Sequence, residues 1–175
     1  MKFFLIGFMG AGKTTIGKYA ARENGLEFLD LDAYIEEKLG KEIREVFRDE
    51  GEDFFRQEER KALEEVIAME RGLLVSCGGG TPCFFDNMDR MNATGTTLYL
   101  DLSAGRLTDR LRNAKSKRPL IAKIKGDLQV FVHKKLMQRA LYYGQAQIIV
   151  PEEQAHRKAV AGLVAEAMAS AASLH

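Results

Sequence analysis

The stretch Phe3-Phe4-Leu5-Ile6-Gly7-Phe8-Met9-Gly10-Ala11-Gly12-Lys13-Thr14 decides how the rest of the chain is read. Four apolar residues in succession suit a strand covered on both faces, as in the middle of a parallel sheet. Gly7 ends the run and opens a G-x-x-x-x-G-K-[ST] pattern that closes on Thr14. Glycines let the backbone curl so that several N–H groups point inward, making an anion nest at the start of a helix. A lysine in the position of Lys13 reaches β- and γ-phosphates, and a hydroxyl in the position of Thr14 ligates Mg²⁺. The stretch therefore predicts a strand, a phosphate cradle for a nucleoside triphosphate, and a helix.

Outward from it the chain alternates strand and helix signals. Residues 14–23 have helical composition and end at Asn24-Gly25, a C-terminal stop. Glu27 to Asp32 alternates polar and apolar residues, predicting a second strand with Asp30 and Asp32 on one side of its end. Apolar residues at helical spacing predict short helices over 33–39 and around Ile43, Val46 and Phe47, and a longer one from Phe54 to Glu70. Further strands are expected over 73–77, 97–102 and 147–150, and a closing alanine-rich helix over 152–172. Helices between strands imply crossovers and a parallel sheet, so the expectation is one α/β domain over 1–175 with a five-stranded parallel sheet. Asn113 to Gly126 fits neither template and reads as a mobile loop.

The 175 residues fit one domain of ordinary globular composition, 46% hydrophobic and 29% charged, which excludes a disordered, collagen-like or coiled-coil chain. A formal net charge of +1 argues against a general polyanion-coating protein, but it conceals a separation. Residues 23–70 carry 17 acidic and 7 basic side chains, net −10, whereas residues 105–139 carry 11 basic and 2 acidic, net +9. No aromatic interleaving accompanies the basic segment, so it reads as a grip for polyphosphate rather than a nucleic-acid face. Cys77 and Cys83 form no disulfide framework and lack C-x-x-C spacing, so both read as reduced thiols of a cytoplasmic protein. No run approaches the roughly 18 apolar residues of a membrane span. His133, His156 and His175 are scattered singly and read as surface or core residues.

The cradle alone does not say what becomes of the γ-phosphate. A GTPase would carry Asn-Lys-x-Asp, and a motor ATPase four apolar residues followed by Asp-Glu; neither occurs. Instead, Asp30 and Asp32 stand at the carboxyl end of a strand, where ligands collect in open parallel sheets. Two carboxylates there can divide the work between hydrated Mg²⁺ and a substrate hydroxyl.

Gly7 to Thr14, Asp30-Leu31-Asp32, Phe54-Phe55-Arg56-Gln57-Glu58-Glu59, Gly78-Gly79-Gly80, Arg118-Pro119-Leu120, and Arg139 with Tyr143 four residues on are weak signals separately, apart from the first. In this order and spacing they resemble the shikimate kinase family over nearly the whole chain. The resemblance implies a P-loop NTPase fold of the nucleoside-monophosphate-kinase-like, three-layer type. It adds a lid over 111–126 and a small helical substrate-binding insertion over 32–72. It further implies ATP-dependent phosphorylation of the 3-hydroxyl of shikimate by a monomer, with Mg²⁺ as cofactor, ATP as co-substrate, and no nucleic-acid or membrane partner.

By motif position, Gly10, Ala11, Gly12, Lys13, Thr14, Thr15, Arg110 and Arg118 would bind ATP, and Thr14 and Asp30 would hold Mg²⁺. Asp32, Arg56, Gly78, Gly79, Gly80 and Arg139 would bind shikimate. Lys13, Asp32 and Arg118 would carry the chemistry, with Asp32 orienting or deprotonating the attacking hydroxyl and Arg118 stabilising the transferring phosphoryl group. Arg56 and Arg139 are apt for a carboxylate, since a guanidinium fork matches it bidentately. Glu59, one turn beyond Arg56, would hold that arginine, and Phe47 and Phe55 would supply apolar walls.

Some positions depart from the family or say little. Leu141 stands where the family often has proline, which removes a backbone constraint beside Arg139. The adenine loop over 151–157 is too variable for transfer, and Thr81-Pro82-Cys83 is compatible with the family but uninformative. The rival expectations are another small-molecule kinase of this architecture, such as a gluconate kinase, and an ATP-binding regulatory module without catalysis.

Overall fold

The computed structural model describes residues 1–113 and 126–173. At its centre lies β1 (Lys2–Ile6), whose Phe3, Phe4, Leu5 and Ile6 are all fully buried. It pairs in parallel with β3 (Leu73–Ser76) on one side and β4 (Thr96–Asp101) on the other. Outside these lie β2 (Glu27–Asp30) against β3 and β5 (Ile148–Pro151) against β4, giving the order β2-β3-β1-β4-β5. The strands flanking β1 thus lead the chain in opposite directions across the sheet. In such sheets a crevice opens beyond the carboxyl end of the strand at that switch point.

The helices in chain order are α1 (Lys13–Glu23), α2 (Leu31–Leu39), α3 (Ile43–Asp49), α4 (Glu52–Ala68), α5 (Asn87–Thr94), α6 (Ala104–Asn113), α7 (Leu128–Tyr143) and α8 (Arg157–Ala172). Period-two alternation divides β1 between two cores. Phe3 and Leu5 belong with Ile16 of α1, Leu107 and Leu111 of α6, Val132 of α7 and Val160 of α8. Phe4 and Ile6 belong with Leu31 and Ile35 of α2, Val46 of α3, Leu63 of α4 and Met91 of α5. A helix layer therefore covers each face of the sheet, which explains the unbroken apolar run.

Several boundaries differ from the sequence pattern for identifiable reasons. β2 stops at Asp30, and Asp32 lies in the first turn of α2 instead of on the strand. The Asp30 carboxylate accepts a hydrogen bond from the Ala33 N–H at 3.4 Å, an N-cap that starts the helix early. Helices α5, α6 and α7 correspond to no expected element. Of the 16 residues of α7 only Leu128, Val132 and Tyr143 are buried, and α5 buries one polar residue, Asn87, beside two methionines, so their apolar stripes are thin.

The closing helix begins at Arg157, five residues later than expected. Before it, Glu152–Gln154 forms a single 3₁₀ turn. That turn is held beside β4 because the Glu152 carboxylate accepts the Ser103 N–H at 2.8 Å. Residues 114–125, most of the expected loop, lie outside the described residues. Among those described, no helix is long and apolar enough to cross a membrane.

Asn24 ties the two ends of the fold together. Its Nδ2 donates to the carbonyls of Ala20 at 2.8 Å and of Ala161, on α8, at 3.1 Å. Replacing Asn24 by Ala removes both bonds and leaves the Ala161 carbonyl without this donor. We expect a stability loss of about 1–2 kcal/mol, read as a lower urea midpoint with an unchanged denaturant slope.

Candidate active site

The loop after β1 has the geometry its glycines permit. Gly10 and Gly12 have φ values of 84° and 97°, a left-handed conformation that costs a residue with a β-carbon roughly 1–2 kcal/mol. Helix α1 starts directly after Gly12 with no side-chain cap, so its opening N–H groups remain available to an anion. Lys13 Nζ donates to the carbonyls of Gly7 at 2.7 Å and Phe8 at 3.1 Å. Burial lowers the Lys13 pKa to about 8, against the opposing pull of the Asp32 and Asp30 carboxylates.

Thr14 Oγ1 donates to Asp30 Oδ2 at 2.9 Å, which brings the two candidate metal-binding oxygens side by side. Hard oxygen donors suit Mg²⁺, an ion that keeps several waters and commonly shares its shell with substrate phosphates. No group of three or more His, Cys, Asp or Glu able to cage a metal occurs among the described residues. The donor set therefore fits a hydrated ion held at the edge of a phosphate chain.

Beyond β3 the chain passes through Cys77 into Gly78-Gly79-Gly80, and each glycine faces a different charged side chain. A Cβ on Gly78 would lie 2.7 Å from Asp32 Oδ1, one on Gly79 3.0 Å from Arg139 Nη1, and one on Gly80 2.6 Å from Arg56 Nη2. Side chains at these positions would displace those groups. The backbone here thus gathers a carboxylate from α2 and guanidinium groups from α4 and α7.

Each arginine is braced. Arg56 Nη1 donates to Glu59 Oε2 at 2.8 Å, and its Nε and Nη2 donate to Glu52 Oε1 at 3.3 and 3.1 Å. Its Cζ lies 4.0 Å from the ring centre of Phe84, 5.1 Å from Phe55 and 5.9 Å from Phe47. Arg139 Cζ lies 5.3 Å from the Phe8 ring, and its Nη1 donates to the Tyr143 hydroxyl at 3.4 Å. Tyr143 in turn donates to the Gly79 carbonyl at 2.6 Å. Leu141 is 83% exposed, so the restraint on Arg139 comes from Phe8 and Tyr143.

Asp32 and Lys13 line one cleft of about 290 Å³ together with Gly12, Thr14, Thr15, Asp30, Gly78 and Gly79. Burial raises the Asp32 pKa to about 6, helped by repulsion from Asp30 and Glu59 and opposed by Lys13. A carboxylate of raised basicity therefore sits next to a phosphate cradle.

On the other side, Arg110 Nη1 donates to the carbonyls of Ala11 at 2.9 Å and Gly10 at 3.4 Å. Arg106, Arg110, Glu152, Glu153, Ala155 and His156 line a second cavity of about 470 Å³. The loop after β5, which allowed no residue-level assignment from sequence, thus reaches Arg110. His156 caps α8, its Nδ1 accepting the Ala159 N–H at 3.3 Å, and no sequence signal marked it. Nor did any mark Phe84 or the Tyr143 bond to Gly79. Arg118 lies outside the described residues.

Comparison with known proteins agrees with this geometry. The family model for shikimate kinase matches residues 9–169. A shikimate kinase of Azobacteroides pseudotrichonymphae is 49% identical over 149 residues, 85% of this chain and 88% of that one. The structure of shikimate kinase from Bacteroides thetaiotaomicron superposes with a TM-score of 0.87 at 40% identity, covering 95% of this chain and 97% of the other. That of shikimate kinase from Acinetobacter baumannii, solved in complex with shikimate, gives 0.85 at 30% identity, covering 97% and 93%. Lys13 and Thr14 of the cradle, the glycine turn and both arginines lie within residues 9–169, and the chain belongs to the shikimate kinase family.

Proposed function

We propose that the chain transfers the γ-phosphoryl group of ATP to the 3-hydroxyl of shikimate, giving shikimate 3-phosphate and ADP. The observation that carries this reading is the convergence of Asp32, Arg56 and Arg139 on Gly78, Gly79 and Gly80 beside the phosphate cradle. Shikimate is a small ring bearing one carboxylate and adjacent hydroxyls. Two guanidinium groups suit the carboxylate, and Asp32 suits a hydroxyl. Helices α2, α3 and α4 then form the acceptor side, corresponding to the insertion over 32–72, and Arg110 with the loop at 152–156 holds the adenine.

Arg56 and Arg139 would anchor the carboxylate, and with it the distance from the ring to the cradle. Asp32 would accept a hydrogen bond from the attacking hydroxyl and take its proton as the new bond to phosphorus forms. Having a pKa near 6, it is ionised at neutral pH and still basic enough for that task. Lys13 would exchange its Gly7 and Phe8 carbonyl contacts for phosphate oxygens and steady the charge on the transferring group. Thr14 and Asp30 would hold Mg²⁺, which when bound neutralises phosphate charge. Action as a monomer is part of the same reading. The free thiols of Cys77 and Cys83 support a cytoplasmic setting.

ADP release measured with shikimate, quinate and gluconate as separate acceptors tests the reading. Strong acceleration by shikimate is expected, and none by shikimate rejects the assignment; preference for gluconate would favour the rival kinase.

Asp32→Asn should lower kcat by at least ~10²-fold while ATP still binds. The same change should stabilise the metal-free fold. Because the folded pKa of about 6 exceeds the ordinary 3.8, ionised Asp32 costs stability at neutral pH, and the cost disappears as pH falls through both values. Partial solvent contact reduces it to about 1–2 kcal/mol, or a rise of roughly 2–8 °C in Tm. A Tm gain near neutral pH that shrinks below pH 6 is expected in scanning calorimetry.

A further inference from the structure

The segment following the three glycines contributes nothing to the reaction as described, yet it converges on Arg56 by two independent routes. Thr81 is fully buried, and its Oγ1 donates to Glu59 Oε1 at 2.6 Å. Glu59 is 1% exposed, and its other oxygen accepts from Arg56 at 2.8 Å. Polar oxygens buried this deeply need hydrogen-bond donors. Thr81 supplies one and Arg56 the other. The Thr81 backbone is itself fixed: its N–H donates to the Gly78 carbonyl at 3.1 Å, and its carbonyl accepts from Asn87 Nδ2 at 2.9 Å.

The second route is direct. The Phe84 ring lies 4.0 Å from the Arg56 Cζ, nearer than Phe55 or Phe47, and covers the guanidinium. Immediately after it the chain turns through Phe85 at φ 52°, left-handed and the only such non-glycine residue among those described. That conformation costs an aromatic residue roughly 1–2 kcal/mol. The backbone beside Phe84 is therefore held against its own preference by the surrounding structure.

We propose that Thr81 and Phe84 are positioning residues for the acceptor's carboxylate: Thr81 orients Glu59, and Glu59 and the Phe84 ring together aim Arg56. Neither residue lines the cleft that Lys13 and Asp32 share. The proposal rests on the shikimate kinase reading, since it assigns Arg56 to the substrate carboxylate. It predicts that loss of either residue weakens acceptor binding without affecting the nucleotide.

Steady-state kinetics of the full chain with shikimate and MgATP provide the test. Thr81→Val keeps the shape and deletes the hydroxyl, and should raise KM for shikimate roughly tenfold, leaving KM for ATP and kcat little changed. Thr81→Ser restores the donor and should restore KM. Phe84→Leu removes the aromatic face and should raise KM for shikimate about threefold. Should Thr81→Val not fold, Thr81→Ala replaces it with the same expectation.

A lower Tm with unchanged KM for shikimate would show a purely structural role and overturn the inference. Failure of Thr81→Ser to restore KM, or an equal rise in KM for ATP, would overturn it as well. An unsubstituted chain that does not use shikimate would overturn the underlying reading, and this arm separates the two failures.

Discussion

Three successive residues without a β-carbon set the dimensions of the acceptor side. Because Gly78, Gly79 and Gly80 offer only backbone, Asp32, Arg139 and Arg56 each approach the chain so closely that a methyl group there would push the side-chain end aside. The groups come from α2, α7 and α4, three elements remote from one another in sequence. Their placement is in turn decided by packing: Leu31 and Ile35 seat α2, and Leu63 and Val66 seat α4, in the cluster that also holds Phe4 and Ile6 of β1. Close packing transmits such constraints because cores rearrange in steps and do not deform freely. The central strand thus places the phosphate cradle at its own end and, through the helices on one face, the carboxylate and one of the guanidinium groups opposite it.

The separated charges of the chain acquire specific work in this frame. The acidic stretch, net −10 over residues 23–70, holds Arg56 between Glu52 and Glu59. Most other ion pairs of that stretch are exposed, as Arg48 with Asp49 and Lys38 with Glu65 are, and exposed pairs contribute little. Arg56 and Glu59 are different: with side chains 11% and 1% exposed, removal of Arg56 would leave the Glu59 carboxylate buried without its cation. The basic stretch, net +9 over residues 105–139, supplies Arg106 and Arg110 beside the cradle and Arg139 on the acceptor side. The near-neutral sum therefore describes a molecule whose acids brace one guanidinium and whose basic stretch lines the second cavity and sets another guanidinium against Gly79.

What could be read from sequence was what local chemistry decides. The run Phe3 to Ile6 and the glycine pattern after it specify a buried strand, a left-handed turn and an uncapped helix start without reference to the rest of the chain. Four strands were legible because their apolar runs are short and bounded by stops, and β2 because its polar and apolar residues alternate. The Asp30–Asp32 pair was legible as chemistry but not as geometry. Period-two alternation put both on a strand face, whereas the Asp30 side chain caps a helix and carries Asp32 into its first turn. Helix α7 escaped notice because few of its residues are buried, and what seats it at the site is the Tyr143 bond to Gly79. That bond spans 64 residues, and no local pattern announces it. Thr81 and Phe84 are hidden for the same reason: their partners on α4 are remote in sequence and adjacent only in the fold.

Lys13 and Asp32 show how the site stays prepared for chemistry. Their pKa values move in opposite directions, that of the cation down to about 8 and that of the anion up to about 6. Mutual attraction would move them the other way, so loss of hydration outweighs attraction at both groups. Each charge is held at a cost that the two cores on either side of β1 offset. Substrates that bring a polyphosphate to Lys13 and a hydroxyl to Asp32 replace the polar contacts that burial removed. Such ligands bind the folded state alone and stabilise it in proportion. On the proposed reading, the free energy forgone in burying two ions returns as affinity for the groups that react, and the placement of those ions beyond β1 and β2 sets that cost.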